Sequence, residues 1–237
     1  MFNGRVRWQR CLPVLATSVL LLSGCGVAGT DFNPGVAAQV GDDTITTKHV
    51  DQVTTEYCAA LEVVTKGQPN AGGTPAQPLR YFTHEFASQL ITRSAAEQLA
   101  DDLGVEPTGT YKSDLAQLMP QLEDLSDAQR DAVVEIIGAQ AYAQDVLTVI
   151  GGDELAKDGT TDATDEDKYA AGQDALAKWV ADNDVEVNPK YGIELGTQTQ
   201  VDTDLSYALG TTAKDGLKPE ADPDYAAALP AHLVCLD

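Results

Sequence analysis

The chain has 237 residues, 43% of them apolar, with 37 acidic against 15 basic side chains and a formal charge of −22. That supplies enough hydrocarbon for one proper core. It excludes a basic nucleic-acid patch, so no nucleic-acid partner is expected, and it makes a soluble surface that repels anionic partners.

At the front, Arg5, Arg7 and Arg10 stand without any acidic residue and are followed by an apolar run from Cys11 to Leu22, then Ser23-Gly24-Cys25. A basic head, a short apolar stretch and small residues make an export signal. The stretch is shorter than the about 20 residues that a membrane span needs. An ordinary cleaved signal or a short retained anchor would share these features. Leu22-Ser23-Gly24-Cys25, however, resembles the lipobox of bacterial lipoproteins. The resemblance implies diacylglycerol on the Cys25 thiol, cleavage before it, a further acyl chain on the freed amine, and anchoring at the extracytoplasmic face of the cell membrane. Each buried CH₂ contributes about 0.8 kcal/mol, so two or more chains hold stably. Residues 1–24 are then the signal, 25–34 a flexible tether, and 35–237 a single domain. Losing three arginines and no acid moves the formal charge from −22 to −25.

Val36 to Val40 reads as a short strand, Gly41-Asp42-Asp43 as a turn, and Thr44-Ile45-Thr46 as a returning strand. Thr46 or Thr47 caps a helix over about 47–66, with Val50, Val53, Tyr57, Leu61 and Val64 on one stripe and Cys58 on its flank. Residues 67–78 are a Gly/Pro-rich connection whose length predicts mobility. A long helix over 79–103 follows. Leu79, Phe82, Phe86 and Leu90 form one row and Ile91, Ala95, Leu99 and Leu103 the adjoining row, with Gly104 as its stop. Tyr111, Leu115, Leu118 and Leu122 predict a helix broken at Pro120. Ser126-Asp127-Ala128-Gln129 is a capping box opening a helix to about Ile150, with Val133, Val134, Ile137 and Ala141 inward and Gly151-Gly152 ending it. Residues 151–164 then read as an internal linker, and Thr164 caps a helix over about 165–182. Val185 to Leu195 alternates and turns at Asn188-Pro189, and His232 to Cys235 ends the chain as a strand or extended clip.

Little in the sequence carries chemistry. His49, His84 and His232 are scattered and not at metal spacing, and His84-Glu85 lacks the second histidine of a zinc-protease motif because Ser88 stands there. The acids from Asp153 to Asp167 lack the order of a calcium loop. With no phosphate loop and no nucleophile elbow, an enzyme is the weaker class, and neither a metal nor a cofactor is expected. Cys11 leaves with the signal and Cys25 takes lipid, so Cys58 and Cys235 remain; outside the cytoplasm such a pair reads as a disulfide, two unpaired buried thiols being the alternative. A bridge would tie the first helix to the C-terminal segment and contribute up to about 5 kcal/mol in the chain-entropy treatment. Phe82, Phe86, Tyr111, Met119, Tyr142 and Trp179 are either core or the lining of an apolar peptide-binding groove.

The segment from Val36 to Asp51, in which Val36, Ala37, Val40, Gly41, Ile45, Thr46, Val50 and Asp51 match and Gly41 comes one residue earlier than usual for the turn, resembles the opening of SurA-type chaperones and PrsA/PpiC-type foldases. Val187-Asn188-Pro189-Lys190-Tyr191-Gly192 is similar to the segment that closes such proteins. The match covers these two short stretches, and no parvulin module with paired histidines lies between the helices. The resemblance implies a mainly α, SurA-N-like domain with a small N-terminal β-hairpin and a C-terminal segment packed back on the first helix. It further implies a chaperone-like module without an isomerase site, binding unfolded or exported polypeptides. A non-catalytic envelope lipoprotein with one dedicated protein partner is the alternative.

Overall fold

The computed structural model describes residues 34–66, 76–193, 210–215, 218 and 223–236. The chain divides into Met1–Phe32 and Asn33–Asp237, and the structure below is that of the second unit. The expected signal, Cys25, the tether up to residue 33 and the connection over 67–75 lie outside the described residues.

The N-terminal hairpin forms where the alternating residues predict it. Strand β1 (Val36–Val40) pairs antiparallel with β2 (Asp43–Thr46), and Val40 faces Asp43 across a two-residue turn. Gly41 opens that turn at φ +52°, a conformation that favours glycine in a tight hairpin. The chain passes directly from β2 into helix α1 (Thr47–Lys66), whose first turn is tied to the strand by Thr46 Oγ1 accepting from the amide of His49.

Across the Gly/Pro-rich connection, a two-residue strand β3 (Gln77–Pro78) leads into α2 (Leu79–Leu103), which Gly104 closes in the left-handed conformation. The two predicted rows of α2 serve two cores. Phe86 and Leu90 pack with Val50 and Val53 of α1, whereas Ile91, Ala95 and Leu99 pack with Val40 of β1 and a later pair of helices. Leu103, on the last turn, is half exposed. Helix α3 (Gly109–Leu118) is capped by Thr108, and the chain tightens to a 3-10 turn over Met119–Leu122 where Pro120 removes an amide. Both the amide and the hydroxyl of Thr108 donate to Asp145, at 2.6 Å each, which locks the start of α3 against the next helix.

That helix, α4 (Asp127–Lys157), begins at the predicted capping box of Ser126 and Gln129. It does not stop at Gly151-Gly152, so the expected linker over 151–164 shortens to 158–164. The reason lies in α5 (Asp165–Asp182). A Cβ on Gly151 would fall 1.8 Å from the carbonyl oxygen of Lys168, and one on Gly172 would fall 2.0 Å from that of Leu147. The glycines cost about 1 kcal/mol each in helix propensity, and in return the two backbones approach until side-chain hydrocarbon around Leu147, Ile150 and Leu176 closes over the contact. Four helices pack on α4. Its inward positions are accordingly Ala132, Val133, Ile136, Ala139 and Ala143, while Ile137, expected inside, is partly exposed. By length and composition α4 is apolar enough to cross a membrane, but its apolar positions are those that hold the core together.

Strand β4 (Val185–Val187) pairs with the other side of β1, giving a three-stranded antiparallel sheet in the order β2-β1-β4. Asn188 follows and clamps β1, its amide donating to the Ala37 carbonyl and its side chain to the Val36 carbonyl. Tyr191, buried, plugs the core formed by α1 and α2, and His84 bonds to its carbonyl. Two short helices, α6 (Thr211–Asp215) and α7 (Pro223–Ala227), precede β5 (Val234–Cys235). β5 pairs with β3, and a Cys58–Cys235 disulfide fixes it to α1 across a sequence separation of 177. From the flank of the α1 stripe Cys58 thus reaches the C-terminal segment and is buried there, with Leu61, Leu79, Phe82 and Leu236 packed around the bridge. The fold is mainly helical, with a small β-hairpin and a C-terminal segment returned to the first helix.

Gly172→Ala is expected to lose about 2 kcal/mol in urea unfolding, because the backbone clash outweighs the gain in helix propensity. Gly138→Ala, where the added methyl meets Leu115 at 3.5 Å and the Tyr111 hydroxyl at 3.9 Å, both ordinary contacts, is expected to gain up to about 1 kcal/mol. Burial first, and Asp51 second, push the Tyr191 phenol up to about 12. As pH rises from about 10 to 12 the unfolded chain releases this proton while the folded chain keeps it, so stability falls through that window. The Tyr191 hydroxyl has no hydrogen-bond partner among the described residues. Tyr191→Phe should therefore keep or gain stability at pH 8 and show a smaller loss at pH 11, measured by urea midpoints.

Candidate functional site

An open cavity of about 410 Å³ lies where β2, α1, α2 and α4 meet. Its wall on one side is the whole of β2, Asp43 to Thr46. Opposite stand Leu90, Arg93, Ser94 and Glu97, which the three- and four-residue spacing places on one face of α2. His49 from the first turn of α1 and Glu135 from α4 complete it.

The polar groups are organised in pairs. His49 Nε2 lies 2.7 Å from Glu135 Oε1, Arg93 Nε donates to Glu97 Oε1 at 2.9 Å, and the Ser94 hydroxyl donates to Asp43 Oδ2 at 3.0 Å. The Arg93 guanidinium also lies over the Tyr142 ring. Burial and the carboxylates of Glu97 and Asp101 raise the Tyr142 phenol above its ordinary range. Both ion pairs are solvent-accessible, so each contributes little to stability. Ile45 and Leu90 supply the apolar part of the lining.

β2 is an edge strand, with β1 on one side and no strand on the other among the described residues. In an antiparallel ladder the outward-facing half of its N–H and C=O groups is left without a strand partner. Asp43, Thr44 and Thr46 are exposed. The arrangement offers main-chain donors and acceptors beside a cavity large enough for side chains, and it gathers no three of His, Cys, Asp and Glu at metal-binding distance among the described residues.

The six aromatic and aliphatic residues expected at a peptide-binding groove are spread over the fold, and none lines this cavity. Phe86 is only 4% exposed and packs on Tyr57 and Phe82, with ring centroids 4.6 Å and 5.8 Å away. Phe82 bridges from there to the disulfide. Tyr111 and Tyr142 meet edge to face at 5.5 Å where α3 crosses α4. Trp179 covers the first core and donates from Nε1 to Asp102. Met119, on the 3-10 turn, is 45% exposed. Sequence reasoning passed over Arg93, Glu97 and Glu135, and weighed His49 only as a metal ligand, for which its spacing is wrong. The i,i+4 spacing of Arg93 and Glu97 was legible, but nothing local brings β2 beside them. Cys25 lies outside the described residues.

Compared with known protein families, with curated proteins and with solved structures, the chain gives no match.

Because the two ion pairs are exposed, Glu97→Gln and Glu135→Gln are each expected to change unfolding free energy by less than about 1 kcal/mol. Thermal melts of the single variants check that these residues line the cavity without holding the fold.

Proposed function

We propose that this protein is a lipid-anchored, chaperone-like module outside the cytoplasm that binds segments of exported or unfolded polypeptides. The observation that carries the binding reading is the unpaired edge of β2 running beside a cavity of side-chain size. Adding a strand to an open sheet edge is a recurrent way of gripping an extended chain: the main chain gives affinity and pockets for alternate side chains give selectivity. No residue is assigned a catalytic role. The resemblance of the Val36–Asp51 and Val187–Gly192 stretches to SurA-type and PrsA-type proteins agrees with this reading, as does the lipobox-like Leu22 to Cys25. The buried Cys58–Cys235 bridge fits an oxidising compartment.

The alternative, one dedicated envelope partner, draws support from the charged lining of the cavity, which is more selective than a greasy surface. The two readings separate in one experiment. The detergent-solubilised mature protein is expected to lower light scattering from several unrelated denatured, diluted clients. Clients that aggregate unhindered at large excess of the protein reject the chaperone reading, and capture of a single envelope protein would then favour the alternative. Mass spectrometry is expected to find acylated Cys25 as residue one, and Cys25→Ser to release the protein from the membrane fraction.

A further inference from the structure

We infer that the cavity beside β2 receives an extended, basic segment of a partner polypeptide, which adds to the β2-β1-β4 sheet as a strand next to β2 and sets a Lys or Arg side chain among Asp43, Glu97 and Glu135. The inference rests on the polypeptide-binding reading and adds to it a backbone geometry and a sign of charge.

The geometry comes from the edge. A chain laid along β2 would satisfy the outward half of the strand's amide and carbonyl groups, each bond contributing about 0.5–1.5 kcal/mol net. Side chains of an extended segment alternate, so those on one face recur about every 7 Å and descend toward α2. The cavity of about 410 Å³ lies on that side, bounded by β2 itself and by the α2 face from Leu90 to Glu97.

The sign of charge comes from the lining. A long basic side chain has an apolar stem and a charged head, and the cavity provides Ile45 and Leu90 for the stem and carboxylates for the head. Three carboxylates, Asp43, Glu97 and Glu135, face one guanidinium and one imidazole. Arg93, His49 and Ser94 each give one carboxylate a single donor. A carboxylate has about four acceptor sites, so each retains capacity for an incoming ammonium or guanidinium. The formal charge of −22 draws a basic segment from a distance and repels a second copy of the chain, whose own β2 would bring Asp43 and the surrounding acids against their like. Charge therefore selects the partner segment over self-pairing along the same edge.

Fluorescence anisotropy with labelled extended peptides tests this on the full mature protein in detergent. The probes are a peptide alternating Lys with Val and Thr, its Glu-for-Lys counterpart, and two versions of the Lys peptide N-methylated on alternate amides in opposite registers. The Lys peptide is expected to bind and the Glu peptide to bind at least tenfold more weakly, a contrast that fades as salt screens the charges. N-methylation in the register facing β2 is expected to weaken binding by about tenfold or more, while the opposite register leaves it unchanged. Glu97→Gln combined with Glu135→Gln is expected to remove most of the preference for Lys over Glu, with the melting temperature little changed. Equal binding of both charge types overturns the inference, and so does indifference to N-methylation in either register. Concentration-dependent dimerisation in sedimentation, with no peptide bound, assigns the edge to a second copy and overturns it as well. Clients kept soluble while N-methylation has no effect would sink the strand geometry alone. Clients left to aggregate while the Lys peptide binds as described would sink the chaperone reading alone.

Discussion

The fold depends on α4 being approachable from several sides at once. A helix wrapped in large side chains meets its neighbours at 8–10 Å between axes, and one lined by alanine and glycine admits them closer. Ala132, Ala139, Ala143 and Gly151 are such positions, and through them α1, α2 and α5 reach α4 while α3 rests over Gly138. The large residues between them, Ile136, Val146, Leu147 and Ile150, then fill two cores rather than one. Burial of each such side chain contributes about 1.5–3 kcal/mol, which is why a helix with two adjacent glycines persists through them.

The cavity is a consequence of the same arrangement. β1 lies between β2 and β4 and is held to α2 by Gln98, whose side chain donates to the Val40 carbonyl, and to the Asn188 clamp. With β1 so fixed, β2 is positioned by its ladder to β1, by Ile45 packed on both cores and by the Ser94–Asp43 bond to α2, and it shares one cavity with the polar face of α2. That face remains open because the apolar rows of α2 are committed elsewhere, Phe86 and Leu90 to α1 and Ile91, Ala95 and Leu99 to α4 and α5. The hydrocarbon of these rows is thus consumed in the interior, and what the cavity offers to a partner is backbone, charge and the two apolar side chains Ile45 and Leu90.

Local physics made much of the fold legible. The hairpin is visible in its alternation and in Gly41, the starts of α4 and α5 in their capping boxes, and the end of α2 in Gly104. The pairing of Cys58 with Cys235 was legible as the even pair left by the roles expected for Cys11 and Cys25, with two unpaired thiols as the alternative. What failed was what depends on a distant partner. Gly151 reads as a stop because no sequence neighbour reveals that Lys168 lies against it. Phe86 reads as either core or groove lining because its burial by Tyr57 and Phe82, which makes it core, is a tertiary fact. The cavity was invisible for the same reason: its walls are separated by some fifty to ninety residues, as the Ser94–Asp43 and His49–Glu135 contacts measure.

The disulfide closes almost the whole described domain into a ring. Hydrolysis of any one peptide bond between Cys58 and Cys235 therefore opens that ring without producing two separate molecules. The nicked chain stays a single covalent object, its halves refold at high effective concentration, and no fragment diffuses away. The bridge thus turns a cut that would separate two fragments into an opening within one molecule, for as long as both sulfurs stay joined.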